Sequence, residues 1–487
     1  MDKLKKFLFG EQSLGQTFAK NSFWLTVSNV GSGFLKIAIV IYAARLLGAE
    51  EYGLFSYAIG VAAIFTAFSD LGLGYLFSIK VAQGEKEQEA YLSTLFFLRV
   101  GLIATIILMV VAAGPLIARF PEAKILIPLI ALLLAFDDLR ALMAGVARAE
   151  NRMDKEAFGH ITTNAMITVL AFVGLRYSPD SFMLTSMYLL GSALGTLAMF
   201  FAVKKKLGNI LWPIKFDPGL VKDIFAAAIP FGLAGAMWTI MVNTDTLVIG
   251  WFRTATELGY YAAAQRPVMA LSLISTVMVG GSLTLIVRLI KEGAKERLKN
   301  FVERLVTFSL AIVLPLFVGG VIVAPSIMLF LYGEEYAPGT LSFQLLLATM
   351  VLTYPSSIVT SLLLAQERQR IYTIAMIGGA LGNAILDIIL IPRFGIEGSV
   401  IATIGALGII YVYIWRKAKK VQPFAVLSHL PRIILATTIM GFITFALNLA
   451  SVNLFINIIV SGLTYFGVLV VSREPILGEL KRIIRFQ

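Results

Sequence analysis

Apolar runs of about twenty residues or more follow one another along nearly the whole of this chain, parted by short charged or Pro/Gly-containing breaks. A hydrocarbon core of about 30 Å takes about 20 residues of helix to cross. Inside lipid each backbone N–H and C=O must be satisfied within the protein, and helices do this segment by segment. The fold is therefore expected to be all-α and polytopic. Reading the runs against their breaks gives about fourteen spans, at roughly 20–47, 52–80, 90–117, 121–147, 157–176, 181–203, 221–251, 257–289, 300–331, 340–365, 371–391, 395–415, 427–449 and 454–472. Of the 487 residues, 58% are hydrophobic and only 14% charged. A soluble domain carries about 25% charged residues, so membrane segments form the bulk of the chain rather than an anchor.

The same reading excludes several classes. There is no cysteine, hence no disulfide and no thiolate metal site. The two histidines, His160 and His429, are far apart in sequence and do not suggest a metal centre. No connection exceeds about twenty residues, too short for a soluble catalytic or nucleotide-binding domain, and neither G-x-x-x-x-G-K-[ST] nor G-x-S-x-G occurs. The expectation is a protein that is not an enzyme and uses no cofactor. The basic start (Lys3, Lys5, Lys6) precedes a run with no small-residue cleavage pattern, so the first run reads as a retained span. Residues 4–19 either lie along the interface or form a tail.

Charge orients the spans. Alternate loops, numbered from the N-terminus, hold about 32 of the 41 Lys and Arg, in stretches such as KVAQGEK, RAENRMDKE, RLIKEGAKERLKN and RKAKK. The other set holds about six, and Lys36, Arg99 and Arg266 lie inside spans. The positive-inside rule then places both termini in the cytoplasm of a cell membrane. The net charge of +12 is a topology signal that needs no nucleic-acid partner, and basic loops suit anionic membrane lipids.

An internal repeat organises the spans. LLGAEEYGLFSYA (46–58) and GWFRTATELGYYAAA (250–264) align at an offset of about 206 residues, with Glu51-Tyr52-Gly53 on Glu257-Leu258-Gly259 and Phe55 on Tyr261. Six spans separate the copies, so both halves have the same orientation. The expected architecture is two pseudo-symmetric six-helix lobes, 1–210 and 211–420, around a central cavity, followed by two further helices and a cytoplasmic tail in 421–487. One two-lobed chain suffices for a pathway, so the expected functional unit is a monomer.

Buried charges mark candidate sites. A cation at the centre of a span costs about 2.5–3.5 kcal/mol even on the lenient scale, so it normally faces a partner or water. Lys36 is such a residue, and its neighbours Gly33, Ser32 and Asn29 form one small, polar helix face. That face suits a wet cavity, with Lys36 contacting substrate; the bland alternative is neutralisation by an acid of the other half, such as Asp245. Asp70 on span 2 and Arg99 on span 3 lie roughly 15 Å and 13 Å from the same membrane face, and so are placed to pair. Asp245 on span 7 and Arg266 on span 8 could pair similarly. Either pair fixes packing or exchanges partners as a gate. Asp387 on span 11 is a candidate coupling-ion residue, for H⁺ or Na⁺, or meets water near the surface. Asp137 and Asp138, with Arg140 beside them, read as interfacial. Arg45 lies near the outer mouth and snorkels or joins an exit ring. Pro230, Pro315 and Pro355 should interrupt spans 7, 9 and 10, and Pro267 removes a hydrogen bond beside Arg266. Gly31, Gly33, Gly72, Gly74, Gly378, Gly379 and Gly382 should permit close helix packing.

ARLLGAEEYGLFSYA with SDLGLGYLFSIKVA resembles the N-terminal signature of polysaccharide and oligosaccharide exporters, and GNAILDIILIPRFGIEGSVIATI (382–404) resembles their eleventh and twelfth helices. The chain is similar over nearly its whole length to the multidrug/oligosaccharidyl-lipid/polysaccharide (MOP) flippase superfamily, nearest to the Wzx-type oligosaccharide flippases. The resemblance implies translocation of an anionic polyprenyl-linked oligosaccharide to the outer leaflet by alternating access. It also implies a cationic cavity lined by spans 1, 2, 7 and 8, to which this chain brings Lys36 and Arg266. The alternatives are a cation-coupled multidrug exporter of the same superfamily, which needs a carboxylate-dominated cavity, and a membrane glycosyltransferase or polymerase, which needs acidic residues on a sizeable outer loop. A non-transporting scaffold would need neither buried charges nor a repeat.

Overall fold

The computed structural model describes residues 14–74, 76–77, 80, 89–211, 214–425 and 430–472. The basic N-terminus, most of the loop after Lys80, His429 and the C-terminal tail lie outside the described residues. The described residues form α1 (Leu14–Thr66), α2 (Glu89–Ile117), α3 (Ala123–Ala149), α4 (Met153–Tyr177), α5 (Ser181–Leu211), α6 (Val221–Phe252), α7 (Ala255–Lys291), α8 (Lys295–Tyr332), α9 (Thr340–Ala365), α10 (Gln369–Val421), α11 (Pro431–Leu449) and α12 (Leu454–Val471), with no strand among them.

Among the described residues, eleven helices are long and apolar enough to cross a membrane. Two of these exceed a single crossing. A straight helix of 53 residues, the length of α1 and of α10, would run about 80 Å. Both are interrupted by a glycine at positive φ: Gly48 at φ 76° and Gly395 at φ 66°. An L side chain is strongly disfavoured there, so glycine sets the boundary between two spans in each. α3 falls outside the eleven because Asp137, Asp138 and Arg140 interrupt its apolar sequence, yet at 27 residues it is long enough to span. With those adjustments the fold is the all-α, fourteen-span architecture read from the sequence. Large apolar side chains lie fully open along the helices, Phe34, Leu108, Val277 and Phe442 each at least 70% exposed, as befits surfaces solvated by lipid.

Several prolines do not act as expected. α6 runs unbroken through Pro230, α8 through Pro315 and Pro325, and α9 through Pro355. One lost backbone hydrogen bond does not end a helix when the apolar surroundings keep every other bond closed.

The chain divides into two compact units, Met1–Gly259 and Tyr260–Gln487. This division follows compactness, whereas the boundary at 210/211 follows the repeat. In the first unit α1 packs along α4, α3 and α6, α4 against α5, and α3 against α2 and α5. Its core gathers Leu73, Phe77, Leu95, Val146, Met199 and Ile224. In the second unit α8 packs on α9, α9 on α10, and α11 with α12 on α8. Tyr465 donates to the carbonyl of Ala311 at 2.7 Å there, beside Ile433 and Met440. A buried polar seam, Thr444, Ser461 and Asn457, ties α11 to α12: the Asn457 amide donates to the Thr444 carbonyl at 3.1 Å, and Ser461 donates to Asn457 at 3.0 Å.

The segment LLGAEEYGLFSYA has a local explanation. After the Gly48 turn, Glu51 accepts from the backbone N–H of Ser181 at 2.8 Å, placing a carboxylate at the N-terminus of α5. Tyr57 accepts from the backbone N–H of Arg119 at 3.2 Å. Gly53 and Gly259 make a reciprocal close approach. A Cβ on Gly53 would lie 1.9 Å from the Ala255 carbonyl oxygen, and one on Gly259 would lie 1.8 Å from that of Ala49. Residues 49 and 53 thus meet 259 and 255, their counterparts in the repeat, in the crossed pattern of a two-fold contact. Gly72 (φ 85°) and Gly232 make a second backbone approach. By contrast, nothing lies within 4 Å of a Cβ built on Gly31, Gly378 or Gly382, so these three do not serve close packing.

Candidate functional site

The first unit carries a layer of ionisable side chains within its helices. Arg99 sits about 15 Å along α2 from its start, Arg140 about 14 Å from the end of α3, and His160 about 10 Å from the start of α4. α2 and α3 are of nearly equal length and joined at their other ends by residues 118–122, and a short turn joins α3 to α4, so the three lie at similar depth. Asp70, just beyond the second span of α1, joins them.

The contacts within the layer are specific. Arg99 Nη1 lies 3.1 Å from Asp70 Oδ1; the arginine side chain is 6% exposed and the aspartate 42%. Gly74 makes room for this pair: its N–H donates to Asp70 Oδ1 at 2.7 Å, and a Cβ there would fall 1.9 Å from Arg99 Nη1. Ser69 donates to Asp138 Oδ2. Arg140 Nη2 donates to Asp137 Oδ1 at 2.9 Å, and Ser192 of α5 donates to the same oxygen at 2.9 Å. Arg140 Nη1 also reaches His160 Nδ1 at 3.1 Å. Beyond it Arg148 Nε lies 3.2 Å from Glu156 Oε2. In the turn between α3 and α4, Arg152 donates to both oxygens of Asp154, and that hydrogen-bonded carboxylate raises the pKa of the guanidinium further, so the pair keeps its charge throughout the physiological range.

Asp70 and Arg99 are thus brought together. Lys36 is exposed. On its helix face Asn29 is exposed and Ser32 and Gly33 are half-buried. Arg45 is exposed near the Gly48 turn. Asp245 is buried in α6 of the first unit, and Arg266 is half-buried in α7 of the second. In the second unit Asp387 is fully buried in α10 and accepts from the Asn383 amide at 2.9 Å.

Sequence reading missed Arg140 and His160 and misplaced their neighbours. Asp137 and Asp138 are not interfacial: they lie well inside α3 and are held from α5 and from Ser69. The signal was present as an acidic pair and an arginine in the second half of an apolar run. Its weight depended on which way α3 turns, and depth alone does not give that.

The family model for polysaccharide biosynthesis proteins matches residues 18–286, more than half of the chain. The chain belongs to that family. Among curated relatives, this polysaccharide biosynthesis protein is 24% identical over 396 residues to the probable low-salt glycan biosynthesis flippase Agl15 of Haloferax volcanii, a match covering 79% of this chain and 80% of the relative. Its fold is that of the lipid II flippase MurJ in an inward closed conformation: TM-score 0.75 at 18% identity, covering 94% of this chain and 99% of MurJ. A MATE multidrug resistance transporter of the MOP superfamily, inward-facing, shares the fold at TM-score 0.66 and 15% identity, covering 82% of this chain and 98% of the transporter. The protein is therefore a multi-pass membrane protein of the polysaccharide biosynthesis family, with a fold shared with a lipid II flippase and with a MATE transporter.

Proposed function

We propose that this protein is a flippase that carries an anionic polyprenyl-linked oligosaccharide from the cytoplasmic to the outer leaflet of the cell membrane by alternating access, with both termini in the cytoplasm. The observation that carries the reading is the layer of paired charges in the first unit, Asp70 with Arg99 and Asp137 with Arg140, in a fold shared with a lipid II flippase. Charges at that depth persist where a polar path needs them. Lys36, Asn29, Ser32 and Arg266 contact the substrate, Arg45 stands at the outer mouth, and Asp70, Arg99 and Asp245 act in gating. The sugar and phosphate cross while the prenyl tail stays in lipid, and the monomer is the working unit. The protein moves its substrate without chemical change.

Energetics favour export. One negative charge moving outward across an inside-negative membrane gains about 2.3 kcal/mol per 100 mV, and a diphosphate of about two charges gains twice that. Coupling to H⁺ or Na⁺ entry at Asp387 would add to this drive. A second reading, a cation-coupled multidrug exporter, draws on the buried Asp387–Asn383 pair and the MATE-like fold. Purified protein in proteoliposomes separates the two. Translocation of a defined lipid-linked oligosaccharide supports the flippase, whereas cation-driven efflux of lipophilic cations without lipid translocation supports the exporter.

A further inference from the structure

We propose that the first unit carries a binding site for an anionic phospholipid, with an acyl chain laid in a groove between α1, α4 and α5 and the phosphate held by Lys205 and Lys206. The site belongs to the protein's lipid surroundings and is independent of what the protein transports.

The groove has a volume of about 440 Å³, within the range of about 300–1,000 Å³ usual for small-ligand sites. Trp24 of α1, Lys155, Phe158 and Thr162 of α4 and Ala202 of α5 line it, with Asp154 at the start of α4. From Asp154 to Thr162 it follows α4 for about 12 Å. It opens onto lipid. Phe158 is 53% exposed, and Met166, Val169 and Val173 continue the same face of α4 at helical spacing, all exposed. Trp24 is a residue type suited to the membrane interface.

Charge around the groove has one sign in excess. Residues 14–24, 148–162 and 199–211 hold seven Lys and Arg against three Asp and Glu. Each acid already has its base: Glu150 takes Lys155 at 3.1 Å, Asp154 takes Arg152 at 2.7 Å and Glu156 takes Arg148 at 3.2 Å. Lys20, Lys204, Lys205 and Lys206 remain as surplus positive charge. Lys204 lies over the Phe201 ring, 5.6 Å from its centre. Lys205 and Lys206 are exposed and make no ion pair among the described residues. They follow Ala202 by three and four residues, so they share its face of α5. Side chains on a helix lean toward its N-terminus, which carries both ammonium groups back over the turn that lines the groove. On α1, Lys20 stands one turn before Trp24.

Two ammonium groups at the rim of an apolar trough suit an amphiphile that joins a phosphate to a hydrocarbon chain. Asp154 does not oppose this, because Arg152 donates to both of its oxygens. A zwitterionic lipid brings its own cation to the lysines and gains less from them. Free phosphate would leave the aromatic walls of Trp24 and Phe158 without a hydrocarbon partner.

The test uses the full chain in phosphatidylcholine vesicles and reads the fluorescence of Trp24. The chain has five tryptophans, so the Trp24 signal is taken as the difference between each protein and its Trp24→Phe counterpart. The probe is phosphatidylglycerol brominated on its acyl chains, which quenches a tryptophan in contact, and brominated phosphatidylcholine is the control. With two lysines on the phosphate, Trp24 should favour the anionic probe about thirtyfold. Lys205→Gln combined with Lys206→Gln should bring that preference within about threefold of unity. Lys291→Gln combined with Lys420→Gln, which removes the same charge from exposed positions of the second unit, should leave it unchanged. High salt should weaken the wild-type preference, a readout that needs no variant. Equal quenching by the two probes, quenching by neither, a preference insensitive to salt, or one that survives the double lysine change overturns the site. Displacement of the anionic probe by stoichiometric geranylgeranyl diphosphate also overturns it and assigns the groove to a prenyl-linked lipid instead.

Discussion

Replacing Gly53 by alanine tests how much the fold depends on backbone contact between repeat-equivalent segments. The added Cβ would stand 1.9 Å from the Ala255 carbonyl oxygen and 2.9 Å from the Gly259 nitrogen, where ordinary contact begins at 3.4 Å. The two backbones must therefore part by about 1.5 Å, with no flexible side-chain end to absorb the shift. Overpacking of this kind typically costs 1–3 kcal/mol, and two opposed backbones put the cost at the upper end, about 3 kcal/mol. That raises the population with this crossing open about 100-fold. Gly259→Ala, at 1.8 Å from the Ala49 oxygen, should behave alike, while Gly31→Ala, with nothing within 4 Å, should not. The chain lacks cysteine, so a reporter is clean. Leu258→Cys, at a fully buried position, should resist a water-soluble maleimide in the otherwise wild-type protein. It should react far faster beside Gly53→Ala. Equal labelling rates and unchanged thermal stability for Gly53→Ala would refute the close-approach argument.

Three further outcomes follow from the same structure. Arg99→Ala should destabilise the protein by about 1–3 kcal/mol, and the double variant with Asp70→Asn by less than the sum of the singles, because each charge is the other's partner; additive losses in a double-mutant cycle of thermal or denaturant unfolding would count against the pair. Asn457→Leu should cost about 1–2 kcal/mol and loosen α12 from α11, seen as faster proteolysis between residues 449 and 454; unchanged proteolysis would remove the seam's role. An imposed inside-negative potential should shift a diphosphate-linked substrate toward the outer leaflet, by about 4.6 kcal/mol per 100 mV at equilibrium for two charges without ion coupling, and reversing the potential should reverse the shift.

Apolar run length and glycine position made most of the fold legible. Gly48 and Gly395 sit where the runs had to break, and each occupies a conformation that favours glycine. Counting residues from span ends put Asp70 level with Arg99, and the two meet at 3.1 Å although Asp70 lies in the turn after α1 and not within a helix. The Arg140–His160 contact was not legible, because it depends on the rotation of α3 and α4 about their axes. A nearly uniform apolar sequence carries little rotational signal. Small residues misled for a related reason. Gly53 and Gly31 look alike in sequence, and only the partner's backbone distinguishes a crossing from an open helix face. Prolines misled because lipid-embedded helices close around a missing hydrogen bond.

The central claim is best tested by the initial rate of lipid-linked oligosaccharide translocation in proteoliposomes, wild type against Lys36→Ala, at matched insertion. Robust transfer by wild type and none above empty vesicles for the variant is the expected result. Equal rates for the two proteins would contradict it.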